Sequence, residues 1–322
     1  MKRIIIDYIK TRKLYKYYSK GSGNFNDDSQ SIVIVMNDGR LLHGGLSDRL
    51  WGMVSMYKYC KETKCEFKIN FHHPFNLSDF LQPNDVDWEI DSKEIIYDLR
   101  VAQPKYISML PISPEKRIEW MKKSLKKCKS QKHIYTNTRG VRKEEFGRLY
   151  HELFKMSPTL QKNVEQEMKK INGKYISCTF RFQQLLGDFK EGNYFTIKNK
   201  EESDLLIKNC EKVIEKLVEL KQMPVLVTSD SQTFLKLISK INNVFIIEGE
   251  VIHPDYDKTK NSEHLYLKSF LDFCMIANAE EVYLCNVAPL YRSGFPETAS
   301  YVNNKPYYEI TDFDNLNIEE IK

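Results

Sequence analysis

Pro224-Val-Leu-Val-Thr228 is an apolar run without polar alternation, closed at once by Ser229-Asp230-Ser231. A strand of that kind has both faces covered, as inside a parallel sheet. Its surroundings continue the theme. Lys174 to Phe182 reads as a strand entering a polar loop, and Leu206, Cys210, Val213, Ile214 and Leu217 fall at helical spacing. Phe234, Leu235, Leu237 and Ile238 continue a helix for which Ser229-Asp230-Ser231 supplies capping chemistry. Val244 to Ile247 reads as another buried strand, Leu265 to Ala277 as a helix, Val282 to Cys285 as a strand and Glu297 to Val302 as a short helix. From about residue 174 this predicts β-α-β-α-β with right-handed crossovers, a nucleotide-binding architecture.

The first third predicts a similar unit. Ile32 to Met36 is a β-branched run closed by Asn37-Asp38-Gly39, a strand and a turn. After His43-Gly44-Gly45, the residues Leu46, Leu50, Met53, Val54 and Tyr57 share one helical face. Glu66 to Phe71 alternates as a half-buried strand does. A chain of 322 residues has room for two domains. The predicted fold class is therefore α/β: two Rossmann-like domains with a cleft between them, residues 1–160 and 161–322, the junction falling between 150 and 174. No internal repeat interrupts this.

Composition narrows the function classes. At 41% hydrophobic and 29% charged residues, with 13 Gly and 11 Pro, the chain is neither disordered nor collagen-like. No apolar run reaches the ~18 residues that cross a bilayer. The start, Met1 to Asp7, lacks the apolar core of a secretory signal, so a cytoplasmic location is expected. Seven scattered cysteines without a Cys-x-x-Cys pair read as reduced, buried thiols. The net charge of +5 permits an anionic ligand without demanding nucleic acid. Pro114 opens a helix whose Ile118, Met121, Leu125 and Cys128 make one stripe, and twelve Lys or Arg lie between 116 and 148. Two readings of these bases stay open: a solvated helix face, or attraction to an anionic membrane surface or an acidic glycan.

Four polar clusters fall at the carboxyl ends of predicted strands, where parallel sheets hold ligands: Gly44–Arg49, Thr179–Asp188, Thr228–Ser231 and Asn286–Glu297. Gly44-Gly45 ahead of a helix suits the close approach of an anion, or is an ordinary turn capped by Ser47. Asp48 is a general base or a helix-dipole residue. Arg181, between Phe180 and Phe182, is costly in a strand unless it emerges into a cleft or meets an anion, and its planar fork suits a diphosphate. Asp230 is a helix cap or a carboxylate for a ribose or base edge. His43 and His72-His73 read as structural, since adjacent strand residues face opposite ways. Asp-x-Asp, which can hold a metal–diphosphate, occurs at Asp85/Asp87, Asp255/Asp257 and Asp312/Asp314; three copies show how little the pattern specifies.

His43-Gly-Gly-Leu-Ser-Asp-Arg-Leu50, Ile176-Ser-Cys-Thr-Phe-Arg-Phe182 with Gly187-Asp188, Val225-Leu-Val-Thr-Ser-Asp-Ser231, and Leu267 to Val302 with Ser293-Gly294-Phe295 form an ordered set. That set resembles the superfamily of GDP-fucose-dependent fucosyltransferases of GT-B-like fold, which includes bacterial α-1,2-fucosyltransferases, the nodulation fucosyltransferase, the core α-1,6 enzymes and the protein O-fucosyltransferases. The resemblance implies an inverting, metal-independent transfer of L-fucose from GDP-fucose to a glycan hydroxyl, in polysaccharide biosynthesis, with no cofactor and with the donor held by the C-terminal domain. It makes Arg181 the ligand of the donor phosphate and Asp48 the acceptor-side residue. It assigns nucleotide-sugar contacts to Gly44, Gly45, Arg49, Thr179, Asp188, Ser229, Asp230, Ser231, Ser293, Gly294 and Phe295. The chain departs from the family pattern where Thr179 stands for a His, Phe182 for a second Arg and Gly294 for a hydroxyl residue, and Gln183 to Leu186 is inserted. Those departures favour the alternative, a non-catalytic nucleotide-sugar or glycan-binding protein with a degenerate site. A metal-dependent transferase using an Asp-x-Asp pair is the other enzyme reading.

Overall fold

The computed structural model describes residues 2–21, 31–109, 112–125, 130–189, 195–251, 253–255, 263–314 and 318–320. The chain divides into two units, Met1–Lys155 and Met156–Lys322. The first contains α1 (Lys2–Leu14), β1 (Ile32–Asn37), α2 (Leu46–Thr63), β2 (Glu66–Phe71), β3 (Leu81–Pro83), β4 (Ala102–Ile107), α3 (Pro114–Ser124), β5 (Gln131–Thr136) and α4 (Lys143–Leu153). β6 (Phe154–Met156) spans the division and pairs with β3. The second contains α5 (Pro158–Ile171), β7 (Ile176–Phe180), α6 (Lys200–Lys221), β8 (Val225–Ser229), α7 (Gln232–Ile238), β9 (Val244–Phe245), α8 (Glu263–Asn278), β10 (Val282–Cys285), α9 (Gly294–Val302), β11 (Tyr307–Ile310) and β12 (Ile318–Glu320).

The first unit is built on a parallel sheet of order β2-β1-β5-β4. β1 is its apolar centre: Val33 to Met36 are fully buried, and Ile34 sits opposite Lys68 of β2 and His133 of β5. α2 covers the sheet so closely that a side chain at Gly52 would place its Cβ 2.4 Å from the Thr136 carbonyl oxygen. Nearly the whole circumference of α2 is buried, beyond the single face its periodicity predicts. Strand order reverses between β1 and β5, the place where open parallel sheets hold ligands at their carboxyl ends.

The second unit carries a sheet of order β12-β11-β10-β7-β8-β9, parallel except where β12 runs against β11. Cys178 and Phe180 pack in one core with Cys210, Val213 and Leu217 of α6 and Phe234 of α7. The intervening Ser177 and Thr179 therefore point to the opposite face. Here the order reverses between β7 and β10. Val244 to Ile247 departs from the expected buried strand. Only Val244 and Phe245 pair, with β8 on one side, and both are half-buried because they form the sheet's edge.

Among the described residues, several of the bases between 116 and 148 are buried or paired. Arg117 is buried and donates from Nη1 to Thr138 Oγ1 at 2.8 Å, and Lys132 is buried in β5. Lys122 meets Glu62 at 2.8 Å, Arg142 meets Glu115 at 3.5 Å and Arg148 meets Glu152 at 2.5 Å. Cys128, Lys126, Lys127 and Lys129 lie outside the described residues. The six described cysteines are free thiols, five of them buried. Among the described residues, no helix is long and apolar enough to cross a membrane.

Candidate functional site

Parallel register sets the second unit's site. Phe180 lies opposite Ser229 of β8 and Cys285 of β10, so Arg181, Asp230 and Asn286 leave the sheet side by side, at the reversal of strand order. Asp230 is the hinge of the arrangement. Its Oδ1 accepts from the Phe182 backbone N–H at 2.8 Å and its Oδ2 from that of Gln183 at 2.7 Å. The same Oδ2 pairs with Arg181 Nη1 at 3.0 Å. Gln183 turns through a positive φ of 53° to bring its N–H there. Burial pushes the Asp230 carboxyl up, while Arg181 and the two N–H groups favour its anion.

Arg181 is held on three sides. Asp230 grips its head, the Phe189 ring lies 4.8 Å from its Cζ, and its carbonyl accepts from the Tyr291 N–H at 2.9 Å. Its side chain keeps 16% exposure. The result is an arginine fixed at the carboxyl edge on a side chain that is still partly exposed, a planar cation of the kind that suits an anion.

The neighbouring predicted residues chiefly hold this edge in shape. Ser231 caps α7: its Oγ accepts from the Phe234 N–H at 3.1 Å and donates to Asp188 Oδ2 at 2.8 Å. Asp188 also takes the Thr233 N–H at 2.8 Å, so the Gly187-Asp188 segment closes over the same helix end. Ser229 Oγ accepts from the Ser231 N–H at 3.1 Å. Thr179 and Thr228 share a hydroxyl hydrogen bond of 2.8 Å between strands. Asp230, read from the sequence as a nucleotide contact, turns its carboxylate into the Arg181–Gln183 loop, and with Ser231 it holds that loop and the start of α7 in shape. Ser293 caps α9 by accepting from the Phe295 N–H at 3.3 Å, and Ser293, Gly294 and Phe295 remain half-exposed.

One group escaped the sequence reading. Arg292, just before Ser293-Gly294-Phe295, reaches Glu309 of β11 from Nε at 2.8 Å and approaches Glu297 at 3.4 Å. Glu309 also accepts from Asn286 Nδ2 at 2.8 Å. A basic residue abutting that motif was the available signal. Two carboxylates already face it, so it organises the loop after β10.

The first unit presents its own edge at the reversal between β1 and β5. Gly44 has φ +86°, and a Cβ there would lie 2.5 Å from Asp48 Oδ2, so glycine is required. Gly45 is the N-cap of α2 and Ser47 lies inside the helix, which corrects the expected Ser47 cap. Arg49, read as a ligand contact, is buried: it donates from Nη1 to Asn37 Oδ1 at 3.0 Å and from Nε to the Gly44 carbonyl at 3.1 Å. It pins the Gly-rich loop to β1. Asp48 is half-exposed in the first turn of α2, with Arg139, from the segment after β5, 3.9 Å away. His43 is buried against the Tyr135 ring, 5.8 Å between centroids. Burial, with Arg49 and Lys10 nearby, holds its pKa down at about 3.

β2 ends at Phe71, so His72 and His73 follow the strand; His72 Nδ1 lies 2.9 Å from Asn70 Oδ1. The Asp-x-Asp pairs have local partners: Asp87 meets Lys68 at 3.3 Å, and Asp312 Oδ1 takes the Asp314 N–H at 2.7 Å. Asp257 lies outside the described residues. Among the described residues no three His, Cys, Asp or Glu gather as metal ligands.

The chain has a mixed α/β fold built on largely parallel sheets, and it shares that fold with solved GT-B-like fucosyltransferases. A NodZ alpha-1,6-fucosyltransferase soaked with GDP-fucose matches with a TM-score of 0.52 at 14% identity, over 92% of this chain and 99% of that one. The same fucosyltransferase co-crystallized with GDP gives 0.54 at 13% identity, over the same shares. A variant of Arabidopsis thaliana FUT1 in complex with GDP gives 0.54 at 10% identity, over 95% of this chain and 74% of that one. No family model matches the chain. No curated protein matches it either.

Proposed function

We propose that the chain is an inverting glycosyltransferase that moves L-fucose from GDP-fucose to a glycan hydroxyl. The observation that carries this reading is Arg181, gripped by buried Asp230 at the β7/β10 reversal with its side chain still partly exposed. The solved neighbours with GDP or GDP-fucose bound supply the donor class. In the reaction the acceptor oxygen attacks the sugar's anomeric carbon from the face opposite the diphosphate. The bond to the phosphate oxygen breaks, and its electron pair leaves with GDP through an oxocarbenium-like state. Arg181 stabilises that leaving charge and is in place before it develops. The half-exposed start of α9 adds a positive dipole end at the same sheet edge. Asp48, on the first unit, is assigned the acceptor proton, with Arg139 3.9 Å away. With Arg181 and backbone amides neutralising the diphosphate, transfer proceeds in the presence of a chelator.

A second reading, a nucleotide-sugar binder without turnover, draws on Phe182. Its ring is fully buried, 4.9 Å from that of Phe234, so the position that resembles a second arginine of the family offers no side-chain cation at the edge. Assay of the purified chain with GDP-fucose separates the two. Release of GDP, lost in Arg181→Ala at unchanged folding, supports the transferase; stabilisation by GDP with no release supports the binder.

A further inference from the structure

α1 is mounted with its polarity reversed. The side chains it turns to the body of its unit are Asp7, Lys10, Thr11 and Leu14, and Tyr18 beyond the helix end continues that stripe. Asp7 Oδ2 accepts from the Ser108 N–H at 3.3 Å, Lys10 Nζ donates to Tyr106 Oη at 3.0 Å, and Thr11 Oγ1 accepts from the Tyr106 N–H at 3.0 Å. These polar contacts dock the helix along β4. The large apolar residues Ile5, Ile6, Tyr8 and Ile9 point away from the protein and are 45–61% exposed. A contiguous apolar patch of this kind marks an interaction site.

The charges around the patch say what covers it. Arg12, Lys13 and Lys16 are exposed on the turns that follow. Asp7 is the acid of Lys2 to Lys16, and it is buried on the inner face. The outward surface is therefore apolar at one end and singly basic at the other. That is the pattern of a helix lying in a membrane interface, its apolar side chains in the acyl boundary and its bases among anionic headgroups. Tyr8 and Tyr15, exposed beside the bases, suit the same boundary. A protein partner would need a matching acidic and apolar groove; an anionic lipid surface supplies both properties without one.

We propose that α1 docks this chain on an anionic lipid surface. This moves the expected membrane contact from the bases at 116–148, several of which are buried or paired, to the N-terminal helix. The test is co-sedimentation of the full chain with vesicles of phosphatidylcholine alone and of phosphatidylcholine mixed with phosphatidylglycerol. Binding is expected to the mixed vesicles, to weaken with added salt, and to fall roughly tenfold or more in Ile5→Glu/Ile9→Glu and in Arg12→Glu/Lys13→Glu. Ile5→Leu/Ile9→Leu should retain it. All four positions are exposed, so unchanged thermal unfolding is expected throughout. Absence of wild-type binding to the mixed vesicles overturns the proposal, as does binding indifferent to both glutamate pairs. A wild-type chain that ignores vesicles but dimerises through Ile5 and Ile9 also overturns it and makes a second copy the occupant.

Discussion

Two buried imidazoles set the acid limit of the first unit. His43 and His133 are both held near a pKa of about 3, mainly by burial. His133 fits the neutral form: the Tyr18 hydroxyl donates to its Nδ1 at 2.6 Å, leaving Nε2–H for Gln131 Oε1 at 2.9 Å. In the unfolded chain each titrates near 6.5. Between those values the unfolded chain binds protons that the folded one excludes. The stability held by the neutral rings is therefore complete above about pH 6.5 and is lost as pH falls towards about 3, at ~1.4 kcal/mol per pH unit for each ring. Denaturant unfolding across that range should show this acid slope, and His43→Phe, which keeps the ring stack on Tyr135, should reduce it by about one proton. An unchanged slope in that variant would contradict the burial argument. At the other edge, the sequence made Arg181 visible because a cation flanked by two phenylalanines needs an anion. It did not show that Asp230 turns inward. That follows from Gln183 adopting a positive φ, which no residue type there announces.

Among the elements, α2 depends on close approach to its sheet. Gly52→Ala would drive a Cβ to 2.4 Å from the Thr136 carbonyl, a fixed backbone atom, so helix and β5 must separate. We expect a loss of about 1–3 kcal/mol, read as a lowered midpoint of unfolding; a neutral effect would mean that α2 sits further off. β1, β2, α6, β8 and β10 were legible because their apolar periods match their burial; α2 was legible from its period although its burial goes well beyond that face. β5 was not, since Gln131-Lys-His-Ile-Tyr-Thr136 is largely polar yet wholly buried. Its polarity is met internally: Gln131 donates to the Glu94 carbonyl at 2.7 Å and Thr136 to that of Ile107 at 2.8 Å. β4 escaped because Pro104 argues against a strand, and is tolerated here only because β4 is the sheet's edge. α1 escaped because its apolar side chains face outward.

For the molecule as a whole, two reversals of strand order each gather a polar cluster at a carboxyl edge. The predicted clusters were found at those edges because strand ends can be read from apolar runs. What the runs do not encode is strand order, and hence which ends are neighbours: β10 returning beside β7 brings Arg181 next to the loop carrying Arg292 and Ser293. The donor assignment rests on Arg181 meeting a diphosphate. The most direct test is calorimetric titration of the chain and of Arg181→Ala with GDP and with guanosine. The account predicts that the variant loses GDP affinity by roughly 10- to 100-fold, the worth of a charge-assisted hydrogen bond, while guanosine binding is little changed. Equal GDP affinity in the two proteins would contradict it.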